Sequence, residues 1–116
     1  MEFIIKKSII NKIIKVSENL DWSVQIDNNN FTFSKYSPAG QDFNIEIGTD
    51  NLSELIEILK SRCEDFDICY ETYLWLDDTG HGANGAPYDM KDLYEDMEAC
   101  LEMMKELYNE LESIEE

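Results

Sequence analysis

Four glutamates, Glu98, Glu102, Glu106 and Glu110, recur at every fourth position near the end of the sequence, flanked by Glu95, Asp96 and Glu112. On a helix this spacing stacks carboxylates along one ridge, about 6 Å apart. Each like-charged i,i+4 step costs about 0.2–0.5 kcal/mol, so three steps cost about 1 kcal/mol, offset in part by Lys91 and Lys105. A sequence shaped only for stability mixes its signs. The chemistry open to such a row is charge-assisted pairing with arginines and lysines, at a spacing close to the repeat of a phosphate backbone. It would therefore suit the basic groove of a nucleic-acid-binding protein. The alternative is a solvated acidic face with no partner. Tyr88 and Trp75 are the candidate apolar anchors of the same surface, with Trp75 somewhat better suited to a core, because Tyr and Trp hold interfaces that acids help to steer.

Other chemistry is thinly represented. His81 is the only histidine, and no nucleophile is placed for it to activate. Gly80-His81-Gly82-Ala83-Asn84-Gly85 matches G-x-G-x-x-G in form. Pro87 follows at once, no βαβ unit surrounds it, and the local charge repels a pyrophosphate. Cys63, Cys69, Cys100 and His81 lack the close C-x2–4-C pair of structural zinc, and Asp65, Asp67, Asp77 and Asp78 do not follow an EF-hand loop. No catalytic residue, cofactor or metal is expected. The reading is non-enzymatic, with a small enzyme built on the His81 loop as an outlying alternative.

The composition points the same way. The chain has 116 residues and a net charge of -17. Residues 1–60 carry 9 acids and 6 bases, a net of -3, whereas residues 61–116 carry 17 acids and 3 bases, a net of -14. Such a surface disfavours direct contact with nucleic acid or anionic membrane and attracts basic protein. Lys6 and Lys7 interrupt the apolar start, so no signal peptide is expected, and no apolar run is long enough to span a bilayer. Three cysteines, an odd number, suit free thiols in a cytoplasmic protein.

These groups need a scaffold, and periodicity supplies an α+β one over residues 1–116, taken as a single domain. Ile5, Ile9, Ile13 and Val16 predict a helix over residues 3–19. Trp22, Val24 and Ile26 alternate with polar residues, as do Phe31, Phe33 and Lys35, and then Phe43, Ile45 and Ile47. Turns at Asp27–Asn30 and Ser37–Gly40 join these runs into a three-stranded antiparallel meander. Asn51 with Glu54 fits a capping box for a second helix. Residues 63–77 read either as a strand or, slightly better, as a short helix capped by Asp67. Residues 78–88 form a loop. Asp89 caps a long last helix to about Ser113, with Tyr88 and Leu93 as its staple. Met90, Met97, Met104 and Leu111 repeat every seven residues along it, as do Leu93, Cys100, Leu107 and Ile114. That stripe fits packing on the sheet within a monomer, with a homodimer seam as the alternative.

The stretch from Tyr36 to Phe43, the later Glu71 and Trp75, the glycine-rich loop, Pro87 and the acidic last helix resemble a group of short acidic proteins, without assigned activity, from gut Firmicutes and their mobile elements. The order of helix, three-stranded sheet and helices, together with the charge, is similar to certain small acidic anti-CRISPR proteins of phages, which occupy a nuclease's DNA-recognition site by mimicking DNA. No residue motif matches them, so no functional residue is carried over. The expectation is an acidic protein-binding module, with DNA mimicry as its mechanism and Glu95, Glu98, Glu102, Glu106, Glu110, Tyr88 and Trp75 as its partner-binding residues. A structural or regulatory homodimer is the alternative.

Overall fold

The computed structural model describes residues 5–83 and 86–115. Helix α1 spans Lys7–Asn19 and buries Ile9, Ile13 and Ser17. It starts later than the predicted residue 3: Phe3 lies outside the described residues, and Ile5 is buried but precedes the helix. Lys6 occupies the N-cap with extended backbone and no side-chain cap. The far end is a Schellman closure, in which Trp22 N–H donates to the Ser17 carbonyl and Asp21 N–H to that of Glu18, both at 3.0 Å. Asp21 takes the left-handed position (φ 68°), and the chain swings Trp22 into the core, where it is 1% exposed.

The sheet follows the predicted meander: β1 (Ser23–Asp27), β2 (Asn30–Tyr36) and β3 (Asp42–Gly48), antiparallel in that order. Asn28, with φ 57°, makes the first turn. The register sets Val24 opposite Phe33 and Phe33 opposite Ile45, then Ile26 opposite Phe31 and Phe31 opposite Ile47. One face therefore enters the core, while Ser23, Gln25, Asn44 and Glu46 face outward and are exposed. Lys35 shares the inner face but reaches its edge, donating to the Leu20 carbonyl at 2.8 Å with Nζ 5.8 Å from the Trp22 ring centre.

Helix α2 (Leu52–Asp65) is capped by Asn51, whose side chain accepts the Glu54 N–H at 2.7 Å. The reciprocal arm of the capping box runs through Thr49, whose hydroxyl donates to the Glu54 carboxylate at 2.5 Å and accepts the Asn51 N–H at 3.3 Å. Near the C-terminus of α2, Arg62 donates to the Glu46 carbonyl at 2.9 Å, on the edge strand β3. The ambiguous 63–77 segment divides into the end of α2 and a short helix, α3 (Ile68–Leu74), with Asp67 accepting the Tyr70 N–H at 3.2 Å. Helix α4 (Met90–Glu112) packs against α1, α2 and α3 and shares one core cluster with the sheet. Leu93, Met97, Cys100, Met104, Leu107 and Leu111 are all buried within the monomer. Asp89 occupies the N-cap of α4 without a side-chain cap bond, and Tyr88 stacks on His81 with ring centres 3.9 Å apart. Among the described residues no helix is long and apolar enough to cross a membrane.

Candidate functional site

Because the apolar stripe turns one side of α4 inward, the opposite side must face water. Glu98, Glu102, Glu106 and Glu110 are all exposed there, as is Glu95. Each four-residue step climbs about 6 Å and turns about 40° around the axis, so the row from Glu98 to Glu110 rises about 18 Å while winding through about 120°. It is a slanting ridge rather than a straight edge. Its own lysines cover it only in part. Lys91 pairs with Glu95 at 2.7 Å, and Lys105 approaches Glu102 at 3.7 Å through open, solvated side chains. Among the described residues Glu98, Glu106 and Glu110 have no ion-pair partner. The negative field extends to α2: the Tyr108 hydroxyl donates to Glu112 at 2.8 Å and is pushed above the usual tyrosine range, first by that hydrogen bond and then by slight desolvation and the charges of Glu112, Glu57 and Glu64.

Asp96 does not belong to the ridge. It is 5% exposed and points away from the glutamates beside it. Its carboxylate accepts hydrogen bonds from the Ser37 hydroxyl at 2.6 Å, the Ala39 N–H at 2.9 Å and the Gln41 side-chain amide at 2.6 Å. The Ser37 hydroxyl in turn accepts the Gln41 N–H at 2.9 Å. Asp96 thus clamps the β2–β3 turn onto α4. Its position four residues before Cys100 and seven before Met103, inside the apolar stripe, is the signal that marks it as inward-facing.

Trp75 and Tyr88, the two predicted aromatic anchors, lie at the opposite end of α4 from Glu110. Trp75 is 36% exposed and Tyr88 67%. The intervening loop ties them together: Ala83 N–H donates to the Trp75 carbonyl at 2.8 Å, and Gly82 N–H to that of Tyr88 at 3.0 Å. A Cβ on Gly82 would collide with the Pro87 carbonyl, so this close approach requires glycine. Asp77 organises the tip by accepting from the Thr79 N–H, the Thr79 hydroxyl and the His81 N–H at 2.8, 2.6 and 3.1 Å. These bonds hold the Asp77 carboxyl below the usual range, the Thr79 hydroxyl contributing most. The loop folds back on itself through a Leu76–Gly82 bridge, and α4 begins only at Met90, so the glycines do not open a helix onto a phosphate. Gly85 of the G-x-G-x-x-G pattern lies outside the described residues.

Beside this loop the sequence reading missed a cluster. Among the described residues eight large apolar side chains stand most open to solvent, and seven of them lie between residues 70 and 94: Tyr70, Tyr73, Leu74, Trp75, Tyr88, Met90 and Tyr94; the eighth is Tyr36. Cys69, Thr72, Tyr73 and Leu76 on one side, with Met90, Lys91 and Tyr94 on the other, bound an open groove of about 550 Å³ between α3 and α4. The Tyr94 hydroxyl is pushed above the usual tyrosine range, first by charge on the adjacent Cys69 sulfur, then by slight desolvation and by Glu98, with a smaller push from Asp67. The three cysteines are free and separate in kind: Cys69 is exposed, Cys63 half-buried and Cys100 buried. Burial raises the Cys63 thiol and, helped by Asp96 and Glu71, lifts that of Cys100 to about 12. Among the described residues no group of three or more metal-ligating side chains converges. No family model, curated protein or solved structure matches the chain.

Proposed function

We propose that this chain is a non-enzymatic protein-binding module that presents the Glu98–Glu110 ridge to a basic surface of a nucleic-acid-binding protein and competes there with nucleic acid. The observation that carries this reading is an exposed row of four carboxylates, three of them without an ion-pair partner among the described residues. The charge serves encounter and register: it steers a basic groove onto the ridge and leaves true nucleic acid repelled. Glu95 contributes less than its neighbours, because Lys91 already holds it. Asp96 contributes nothing directly, because it is turned inward.

The test replaces Glu98, Glu102, Glu106 and Glu110 by glutamine together. Removing three repulsive steps leaves the helix slightly more stable, so loss of binding cannot be blamed on unfolding. Partners captured from lysate at about 50 mM salt should release at about 300 mM, should be displaced by duplex DNA, and should not be retained by the variant. Retention of the same proteins by wild type and variant, or indifference to salt, would sink the reading.

A further inference from the structure

We infer that the cavity where α1 begins beside the start of α2 is a binding site for a small organic carboxylate with an apolar tail. The inference is independent of the ridge and of its partner. The cavity holds about 270 Å³. Its charged lining residues, Lys6 and Lys12, are both cations, and no carboxylate lines it, in a chain of 26 acids and 9 bases. Ile5, Ile9 and Leu52, all buried, form its apolar wall, and Ser8 and Asn51 complete it.

The donors are available. Among the described residues neither Lys6 nor Lys12 forms an ion pair. Lys12 Nζ donates to the Glu115 carbonyl at 3.2 Å, which leaves its other ammonium hydrogens for a ligand. The Asn51 side-chain oxygen accepts the Glu54 N–H, which leaves its amide NH₂ to donate. Glu54, the acid in the first turn of α2, is held by the Thr49 hydroxyl and is not part of the lining. Lys6 and Asn51 are the N-caps of α1 and α2, so the positive ends of two helix dipoles border the cavity and add to the lysines.

Two ammonium groups beside an apolar wall select an anionic head with a hydrocarbon body. Phosphate sites draw on arginine forks or glycine-rich backbone nests, and neither arginine nor glycine lines this cavity, so the head is a carboxylate. A volume just under the range of about 300–1,000 Å³ for drug-sized ligands keeps the body short. The repulsion of the distant acids is screened beyond about 8 Å at physiological salt, whereas the lysines act at the cavity itself.

The probe is octanoate, set against octanamide, which has the same tail and no charge. Adding octanoate to the full chain should shift amides centred on residues 5–12 and 51–54, with binding at least about fivefold tighter than that of octanamide. Lys6→Gln with Lys12→Gln, both at exposed positions, should bring the two ligands level. Lys15→Gln with Lys60→Gln changes the net charge equally at exposed positions outside the lining and should keep the preference. The four-glutamine ridge variant should also keep it, so failure of the ridge reading and failure of this site are told apart. Shifts centred elsewhere, equal binding of octanoate and octanamide by wild type, a preference that survives the Lys6 and Lys12 pair, or one lost equally with the Lys15 and Lys60 pair would each overturn the proposal.

Discussion

Two aspartates organise two turns by the same chemistry, and they differ in where the carboxylate comes from. Asp77 sits within its own turn and accepts from groups two and four residues away, fully in solvent. Asp96 reaches across the fold, 55 to 59 residues from its donors, and is buried. The local carboxylate shapes a loop that would find much of its order unaided. The distant one joins sheet to helix, so its bonds form only when the whole chain has folded. One turn belongs to a surface feature and the other to global stability.

Asp96→Ala should break the comparison open. Three donors lose their acceptor, one of them, Ser37, buried, and the unfolding free energy should fall by about 2–3 kcal/mol in a urea titration. A change within about 0.5 kcal/mol would mean that the clamp is not a stabilising element. Gly82→Ala acts on the other turn. Its Cβ drives into the Pro87 carbonyl, and the loss should be about 1–2 kcal/mol, with faster amide exchange at positions 82 and 83 while the sheet stays protected. Cysteine alkylation sharpens the contrast. Cys69 should label first in the native protein, and Cys100, buried and raised to about 12, should label only as the core opens. Asp96→Ala should hasten the Cys100 reaction, whereas Asp77→Asn should not. The smallest effect is that of Asp77→Asn itself: faster exchange across the 77–82 turn with an unmoved urea midpoint. Acid tests the same group. The lowered Asp77 carboxyl favours the folded turn at pH above the ordinary aspartate value of about 3.9, and this support is lost as pH falls through the lowered folded-state value. The Thr79 and His81 amides should therefore titrate below about 3.9 by NMR; titration at or above it would contradict the assignment.

The elements were legible wherever periodicity was long or a cap was present. Three alternating runs specified the meander, Asp67 only tilted the open reading of residues 63–77 towards a helix, and the apolar stripe of α4 specified which side its glutamates would leave in water. The start of α1 was not legible, because β-branched residues extend the apolar pattern beyond the residues that adopt helical backbone. Asp96 was grouped with the ridge because its donors lie on a turn more than fifty residues earlier, a pairing that local spacing cannot encode. The groove was missed for a related reason. Helix α3 looks apolar enough to sink into a core, yet its seven residues bury only Thr72. How much of a short helix stays open depends on how it crosses its neighbour, which periodicity does not specify.

The single arginine of the sequence is Arg62, and it lies across the outermost strand, occupying the Glu46 carbonyl. A foreign strand arriving on that side meets a filled acceptor and a fixed cation instead of an open ladder. A charged side chain laid over one edge acceptor is among the devices by which sheets discourage edge-to-edge pairing, and here it guards β3 at Glu46.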